Sequence, residues 1–240
     1  MRIGDEVDLG TIRRQLTHVL RMQPGDSLVL LNGDGYEYLT RVQSVDDEYA
    51  AGTVQAAEPA AGEPQVEVTL YQCVLKSDKM EWVLQKGTEL GIARFIPVIS
   101  ERTIVRPAEK LVRKYDRWRA ILREAAEQSH RGRIPEIANP LPWPSAVESA
   151  GSPGAVRYLP WEAAEDAPSL AVAASAPVGA ANGRKISLLI GPEGGITGEE
   201  VKQAIANGWQ VVTLGPRILR AETAALCATS VLMSALGELD

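Results

Sequence analysis

Cysteine is scarce. Cys73 and Cys227 are the two in 240 residues, too few for a disulfide framework or a four-thiolate zinc site. Histidine is equally rare, and His18 and His130 lie too far apart in sequence to be read as a pair. No metal-ligand spacing accompanies them and no Ser/His/Asp triad can be assembled, so no metal centre is expected. Aromatic residues make up 5% of the chain and are scattered, which leaves no readable base-stacking platform. Long apolar runs are missing too. Residues 167–183 are uncharged but broken by Pro168 and Pro177, and residues 223–236 fall short of the ~18 apolar residues of a spanning helix. Residues 1–6 carry no secretory pattern. The expectation is a soluble protein of the reducing cytoplasm, without a membrane partner.

What is present is an ordinary globular composition, 45% hydrophobic and 23% charged, in a chain long enough for one large domain or two small ones. The net charge of −6 is unevenly spread. Residues 1–70 hold 12 acidic against 5 basic groups, whereas residues 101–133 hold 10 basic against 5 acidic. Two explanations suit that basic strip. It is either a solvated helix face or a local docking site for a polyanion, felt over ~8–10 Å in physiological salt. Arginine predominates in it, with Arg102, Arg106, Arg113, Arg117, Arg119, Arg123, Arg131 and Arg133, and its planar fork suits phosphate.

Along the chain, residues 28–45 read as strand, turn, strand around Asn32-Gly33-Asp34-Gly35, whose glycines supply the positive φ of a tight hairpin. Further strands are expected over 50–55 and 66–75, with a linker at 56–65 and one short helix near 12–21. Residues 1–70 therefore read as a β domain and 71–240 as an α/β domain. In the second part, Asp78 and Glu81 form a candidate capping pair, and Gly91 suits a helix stop. A strand is expected at 95–99, a long basic helix over 108–130 and a turn-rich connection at 135–144. Strands at 156–159, 185–190 and 210–214 alternate with helices at 199–206 and 221–236, and residues 163–183 form a loop with some helix. Alternating strands and helices imply a mostly parallel sheet.

The strongest chemical signal is Gly191-Pro192-Glu193-Gly194-Gly195, a turn after an apolar strand, followed by Thr197 and Glu200 at capping-box spacing. Such turns lie at the carboxyl edge of open α/β sheets, where ligands bind. A phosphate cradle is disfavoured, because the Gly-Lys-Ser/Thr ending is missing and Glu193 would repel phosphate. A neutral or cationic cofactor fits better, although glycines serving only a tight turn remain an alternative. A second turn, Leu214-Gly215-Pro216, leads through Arg217-Ile218-Leu219-Arg220-Ala221-Glu222-Thr223 into the last helix, whose free N–H groups can hold a ligand.

Several further segments complete a pattern. They are His18-Val19-Leu20-Arg21 with Gly25-Asp26, Lys76-Ser77-Asp78-Lys79-Met80-Glu81-Trp82, and Gln85-Lys86-Gly87-Thr88-Glu89-Leu90-Gly91. Ser100-Glu101-Arg102, Arg117-Trp118 and Glu124 to Arg131 with Pro135-Glu136-Ile137 follow. In this order, and with the two glycine turns, the chain resembles the ribosomal RNA small-subunit methyltransferase E family of the SPOUT superfamily. The resemblance implies a PUA-like β-barrel followed by an α/β domain with a C-terminal trefoil knot, in a homodimer. It also implies S-adenosylmethionine-dependent methylation of N3 of one uridine in the decoding region of 16S rRNA, on the small ribosomal subunit. By similarity, the cofactor pocket comprises Leu159, Pro160, Ile190, Gly191, Pro192, Glu193, Gly194, Gly195, Leu214, Gly215, Ile218, Leu219 and Thr223. Arg220 and Glu222 are the candidate catalytic pair, with Arg131, Glu127 or Gln128 supplied by the partner subunit. Arg21, Arg102, Arg106, Arg113 and Arg117 are the candidate RNA contacts. Other SPOUT chemistry (ribose 2′-O or another base), a non-catalytic RNA-binding assembly factor and a nucleotide-phosphate enzyme are the competing functions.

Overall fold

In the Asn32–Gly35 hairpin both glycines adopt left-handed backbone, with φ +86° at Gly33 and +91° at Gly35, and the Asp34 carboxylate accepts the Tyr38 hydroxyl at 2.6 Å and the Tyr36 N–H at 3.0 Å. The Tyr38 hydroxyl above all, with these neighbours, holds the Asp34 carboxyl below its ordinary value. The hairpin joins β2 (Ser27–Leu31) to β3 (Tyr36–Val45) in a computed structural model that describes residues 1–104, 111, 113–149, 154–175 and 185–239. With β1 (Glu6–Asp8) and β4 (Ala50–Pro59) they form a four-stranded antiparallel sheet in the order β1-β4-β3-β2. Among the described residues the expected PUA-like β domain is thus an antiparallel sheet.

Two local expectations change. The linker at 56–65 begins later, because Ala56 to Pro59 continue β4 opposite Leu39 to Tyr36, after a register shift between Leu39 and Thr40. Small alanines are weak strand formers alone but pair readily against Tyr38 and Leu39. In place of one helix near 12–21 stand a 3₁₀ turn at Gly10–Ile12 and a π-type turn at Gln15–Val19. The second buries Leu16 in a small core with Leu9 and Ala50. This first unit comprises residues 1–63 together with 130–133. Gly35 donates its N–H to the Gly132 carbonyl at 3.0 Å, and buried Arg131 pairs with Glu63 at 3.2 Å.

Among the described residues, the second unit, residues 64–129 and 134–240, is built on seven parallel strands. These are β5 (Glu67–Cys73), β6 (Arg94–Ile99), β7 (Glu136–Ile137), β8 (Leu141–Pro142), β9 (Val156–Pro160), β10 (Lys185–Ile190) and β11 (Gln210–Val212). Their order is β11-β9-β10-β5-β6-β7, with β8 also on β6. The strand expected at 66–75 therefore pairs with β10 and β6 rather than with the antiparallel hairpin. Its Val68, Leu70 and Cys73 are fully buried, as a strand covered on both faces requires.

On one face, Leu70 and Leu188 pack with Met80, Val83 and Leu84 of α1 (Ser77–Glu89), Trp118 and Leu122 of α2 (Tyr115–Gln128), and Ala225 and Leu232 of α6 (Ala221–Ala235). α4 (Leu170–Ser175) joins that layer through Leu170 and Ala174. On the other face, Tyr71, Ile96 and Leu189 pack with α3 (Trp143–Ser149), α5 (Gly198–Ala206) and Trp209. The turn-rich connection at 135–144 thus contains two short strands and the start of α3. The long basic helix is shorter than expected, with residues 105–110 and 112 outside the described set. The Asp78–Glu81 capping pair does not form. Lys76 is the N-cap and no side chain caps α1, because the helix starts at Ser77 and places Asp78 inside its first turn, while Glu81 accepts two bonds from Arg117 of α2, at 2.8 and 2.7 Å. Gly91 does end α1, with φ +95°. No helix among the described residues is long and apolar enough to cross a membrane.

Candidate active site

β9, β10 and β11 lie side by side and parallel, so their carboxyl ends open at one edge of the sheet. The turn after β10 is locked from within and without. A Cβ on Gly191 would stand 2.7 Å from Ile196 Cγ1, and one on Gly195 (φ +73°) would stand 2.6 Å from Glu162 Oε1. Gly195 closes the turn through its N–H to the Pro192 carbonyl at 3.0 Å. At the start of α5 the expected capping box is present, with Thr197 and Glu200 satisfying each other's backbone N–H groups. Glu200 is only 6% exposed, and its other carboxylate oxygen accepts the Glu101 N–H at 2.8 Å. Next to Glu101, Arg102 donates through Nη1 to the Gly194 carbonyl at 3.0 Å. The segment after β6 therefore clamps the glycine turn from outside.

The turn after β11 is looser. Gly215 takes φ +102° with open space where a Cβ would stand, and its N–H bonds Thr213 Oγ1 at 3.1 Å. Arg220 is the N-cap of α6, with extended backbone and no side-chain capping bond. A guanidinium has only donors and cannot cap a helix N-terminus.

Between these turns lies a cleft of about 240 Å³. Of the expected cofactor residues it is lined by Pro160, Ile190, Gly191, Pro192, Glu193, Gly195, Leu214, Gly215, Ile218 and Leu219, and also by Arg220. Leu159, Gly194 and Thr223 are not among the lining residues. Leu159 is fully buried in the core, whereas Gly194 and Thr223 face outward. Residues not singled out from the sequence also line it, among them Lys79, Trp161, Glu162 and Arg217. Trp161 and Glu162 directly follow β9, so extending the strand-end argument by two residues would have found them. Lys79 could not be found that way, because it reaches the cleft only through the pairing of β5 with β10.

Glu222 stands behind Lys79, whose Nζ donates to it at 3.1 Å and lies 3.9 Å from Glu193. Partial burial pushes the Glu222 carboxyl upward, but its own backbone N–H, the Lys79 ammonium and nearby Arg220 together hold it below the ordinary value. Arg131 does not line the cleft; it is 3% exposed and bound to Glu63 within the first unit. Of the candidate RNA contacts, Arg21 and Arg113 are exposed, Arg117 is paired with Glu81, and Arg102 lies on the glycine turn. Arg106 falls outside the described residues.

The lining therefore combines apolar walls and bare glycine backbone with the carboxylates of Glu193 and Glu162 and the cations Lys79, Arg217 and Arg220. It fits a ligand with an apolar body that carries charged groups of both signs. S-adenosylmethionine has that character.

Comparison with known proteins agrees. An RNA methyltransferase domain model matches residues 62–233, and an RNA methyltransferase PUA domain model matches residues 16–55. The ribosomal RNA small subunit methyltransferase E of Bacillus subtilis is 31% identical over 95% of this chain and 87% of its own. That of Synechocystis is 36% identical over 87% of this chain and 66% of its own. The crystal structure of the Neisseria gonorrhoeae ribosomal RNA small subunit methyltransferase E, bound to S-adenosylmethionine, superposes with a TM-score of 0.82 at 33% identity, covering 98% of this chain and 93% of that one. A Legionella pneumophila protein solved with the same bound cofactor gives 0.81 at 31% identity, over 98% and 94% of the two chains. The chain belongs to the ribosomal RNA small subunit methyltransferase E family.

Proposed function

We propose that this protein transfers a methyl group from S-adenosylmethionine to N3 of a uridine in the decoding region of 16S rRNA, acting on small ribosomal subunits in the cytoplasm. The carrying observation is the cleft at the carboxyl ends of β9, β10 and β11, where a glycine turn and the side chain of Arg220 meet. When bound, S-adenosylmethionine supplies an electrophilic methyl group on a positively charged sulfur. The chain's own contribution is positioning and electrostatics. Pro160, Ile190, Leu214 and Leu219 offer apolar walls, and the turn after β10 presents backbone without side-chain obstruction.

Uracil N3 carries a proton that must pass to solvent before the nitrogen can attack. Arg220 is suited to stabilise the charge that then develops on the uracil oxygens. Glu222 is held ionised by its neighbours, which suits it to orientation rather than proton acceptance, since an efficient base has a pKa near the working pH. N3 is a Watson–Crick atom, so the base must be unpaired or extruded first. Exposed Arg21 and Arg113, with Arg102, Arg106 and Arg117, are assigned to the RNA backbone. A homodimer is part of the proposal, supported by Ile218, an apolar side chain 85% exposed at the cleft. So is the trefoil knot, supported by the entry of late strand β10 between β9 and β5.

Calorimetric titration with S-adenosylmethionine and, separately, ATP tests the cleft. Saturation by the former at about one per chain, with N3-methyluridine formed on subunits from a strain lacking the enzyme, is the expected result. Ribose-methylated product would reassign the chemistry. Absence of S-adenosylmethionine binding would favour an RNA-binding assembly factor, and preference for ATP would overturn the function altogether.

A further inference from the structure

One cation in the cleft belongs to neither glycine turn. Lys79 lies in the first turn of α1, directly after β5, and β5 is the neighbour of β10. Its Nζ stands 3.1 Å from Glu222 Oε2, at the start of α6, and 3.9 Å from Glu193 Oε1, within the glycine turn. All three side chains are largely shielded, 26% exposed at Lys79, 19% at Glu193 and 17% at Glu222. Glu193 is gripped a second time from α1's N-cap, where the Lys76 N–H donates to the same oxygen at 3.2 Å. We propose that Lys79 is a positioning residue for methyl transfer: its ammonium joins the Glu193 and Glu222 carboxylates and so sets the glycine turn against the first turn of α6. This rests on the methyl-transfer function proposed above.

The residue type follows from the geometry. A lysine ammonium is a point charge with three donors and can serve carboxylates arriving from two directions, whereas a guanidinium fork favours one carboxylate at a time. Because Lys79 is engaged by two carboxylates, it acts through them rather than on the uracil. Without it, two shielded carboxylates lose their common cation. Arg220 bears on Glu222, and Arg217 and Glu162 are the other charged groups lining the cleft. Among the described residues, Lys79 is the cation that lies within 4 Å of both carboxylates. Displacement of either turn then shifts the groups that orient donor and acceptor, and an error of ~1 Å in such placement can lower a rate by about 10²-fold.

The test compares wild type, Lys79→Met and Lys79→Arg in S-adenosylmethionine titration, single-turnover methylation of small subunits at several pH values, and thermal melting. Lys79→Met should melt as a folded protein and transfer methyl groups roughly 10- to 100-fold more slowly, while its affinity for S-adenosylmethionine changes less than its rate. Its rate should also fall off at a higher pH on the acid side, because Glu222 has lost the cation that favours its ionised form. Lys79→Arg, which keeps the charge but favours one carboxylate at a time, should recover only part of the rate. A folded Lys79→Met with wild-type rate and wild-type acid limb overturns the proposal. If Lys79→Met does not fold, Lys79→Gln takes its place, and failure of both uncharged variants to fold assigns Lys79 to stability and overturns it equally. A wild type that neither binds S-adenosylmethionine nor methylates subunits overturns the underlying function, and the proposal with it.

Discussion

Arg220 sits at the N-cap of α6, where its donor-only guanidinium cannot cap the helix N–H groups, and it lines the cleft. Replacing Arg220 with alanine should therefore lower single-turnover methyl transfer by about 10²–10³-fold, with a much smaller change in S-adenosylmethionine affinity by calorimetry; a loss confined to affinity would remove Arg220 from the reaction. Glu222 carries a pH signature. Its carboxyl sits below the ordinary value in the folded chain, so its stabilisation is present above the unfolded pKa of about 4.3 and is lost as pH falls through the folded one. Melting curves below pH 5 should decline more steeply for wild type than for Glu222→Gln. Cys73 behaves oppositely. Burial pushes its thiol up to about 12, against a smaller lowering by Ser100, so its contribution persists below the unfolded pKa of about 8.5 and fades as pH rises toward 12. A thiol reagent should label at most Cys227 in the native protein and both cysteines in denaturant. Arg220 and Glu222 were legible in the sequence because they neighbour a glycine turn. Lys79 was not, since its partners are 114 and 143 residues away.

Helix ends show what local spacing can and cannot say. Thr197–Glu200 and Asp78–Glu81 share the same i,i+3 spacing, but only the first closes a capping box. The difference lies in where each helix starts, since Thr197 is the N-cap of α5 whereas Asp78 lies inside the first turn of α1, and Arg117 takes Glu81 with two bonds. Thr197→Ala should destabilise the protein by roughly 0.5–2 kcal/mol. Glu200→Ala should cost about 1–3 kcal/mol, because the Glu101 N–H is then left in a partly buried site without its carboxylate. Denaturant melts of the two variants would check the order. The glycine turn is less forgiving in function than in stability. Gly191→Ala forces a Cβ to within 2.7 Å of buried Ile196, so the turn must shift, and S-adenosylmethionine binding should weaken more than tenfold in calorimetry. Retained affinity would mean that the turn is not a cofactor wall.

At the scale of the molecule, a two-part organisation was legible from composition, since hairpin signals crowd the first 60 residues and strand–helix alternation follows. Strand order was not, because a parallel strand such as β5 reads as the same apolar run whether its partners are antiparallel or parallel. Nor was the membership of residues 130–133 in the first unit, a long-range pairing without a local signature. Arg131→Met should destabilise that unit by roughly 1.5–3 kcal/mol, the range for hydrogen bonds to charged groups, and faster amide exchange around Gly35 and Glu63 would report it. This membership also bears on the order in which a ribosome releases the chain. Residues 1–63 emerge first, yet the carbonyl that receives the Gly35 N–H belongs to Gly132. At about 5–20 residues per second, the first unit waits roughly 4–14 s for its last piece, while the opening strands and first helices of the second unit are being made. During synthesis, the N-terminal unit is thus begun first but receives its last piece only after the opening strands and first helices of the second unit have been made.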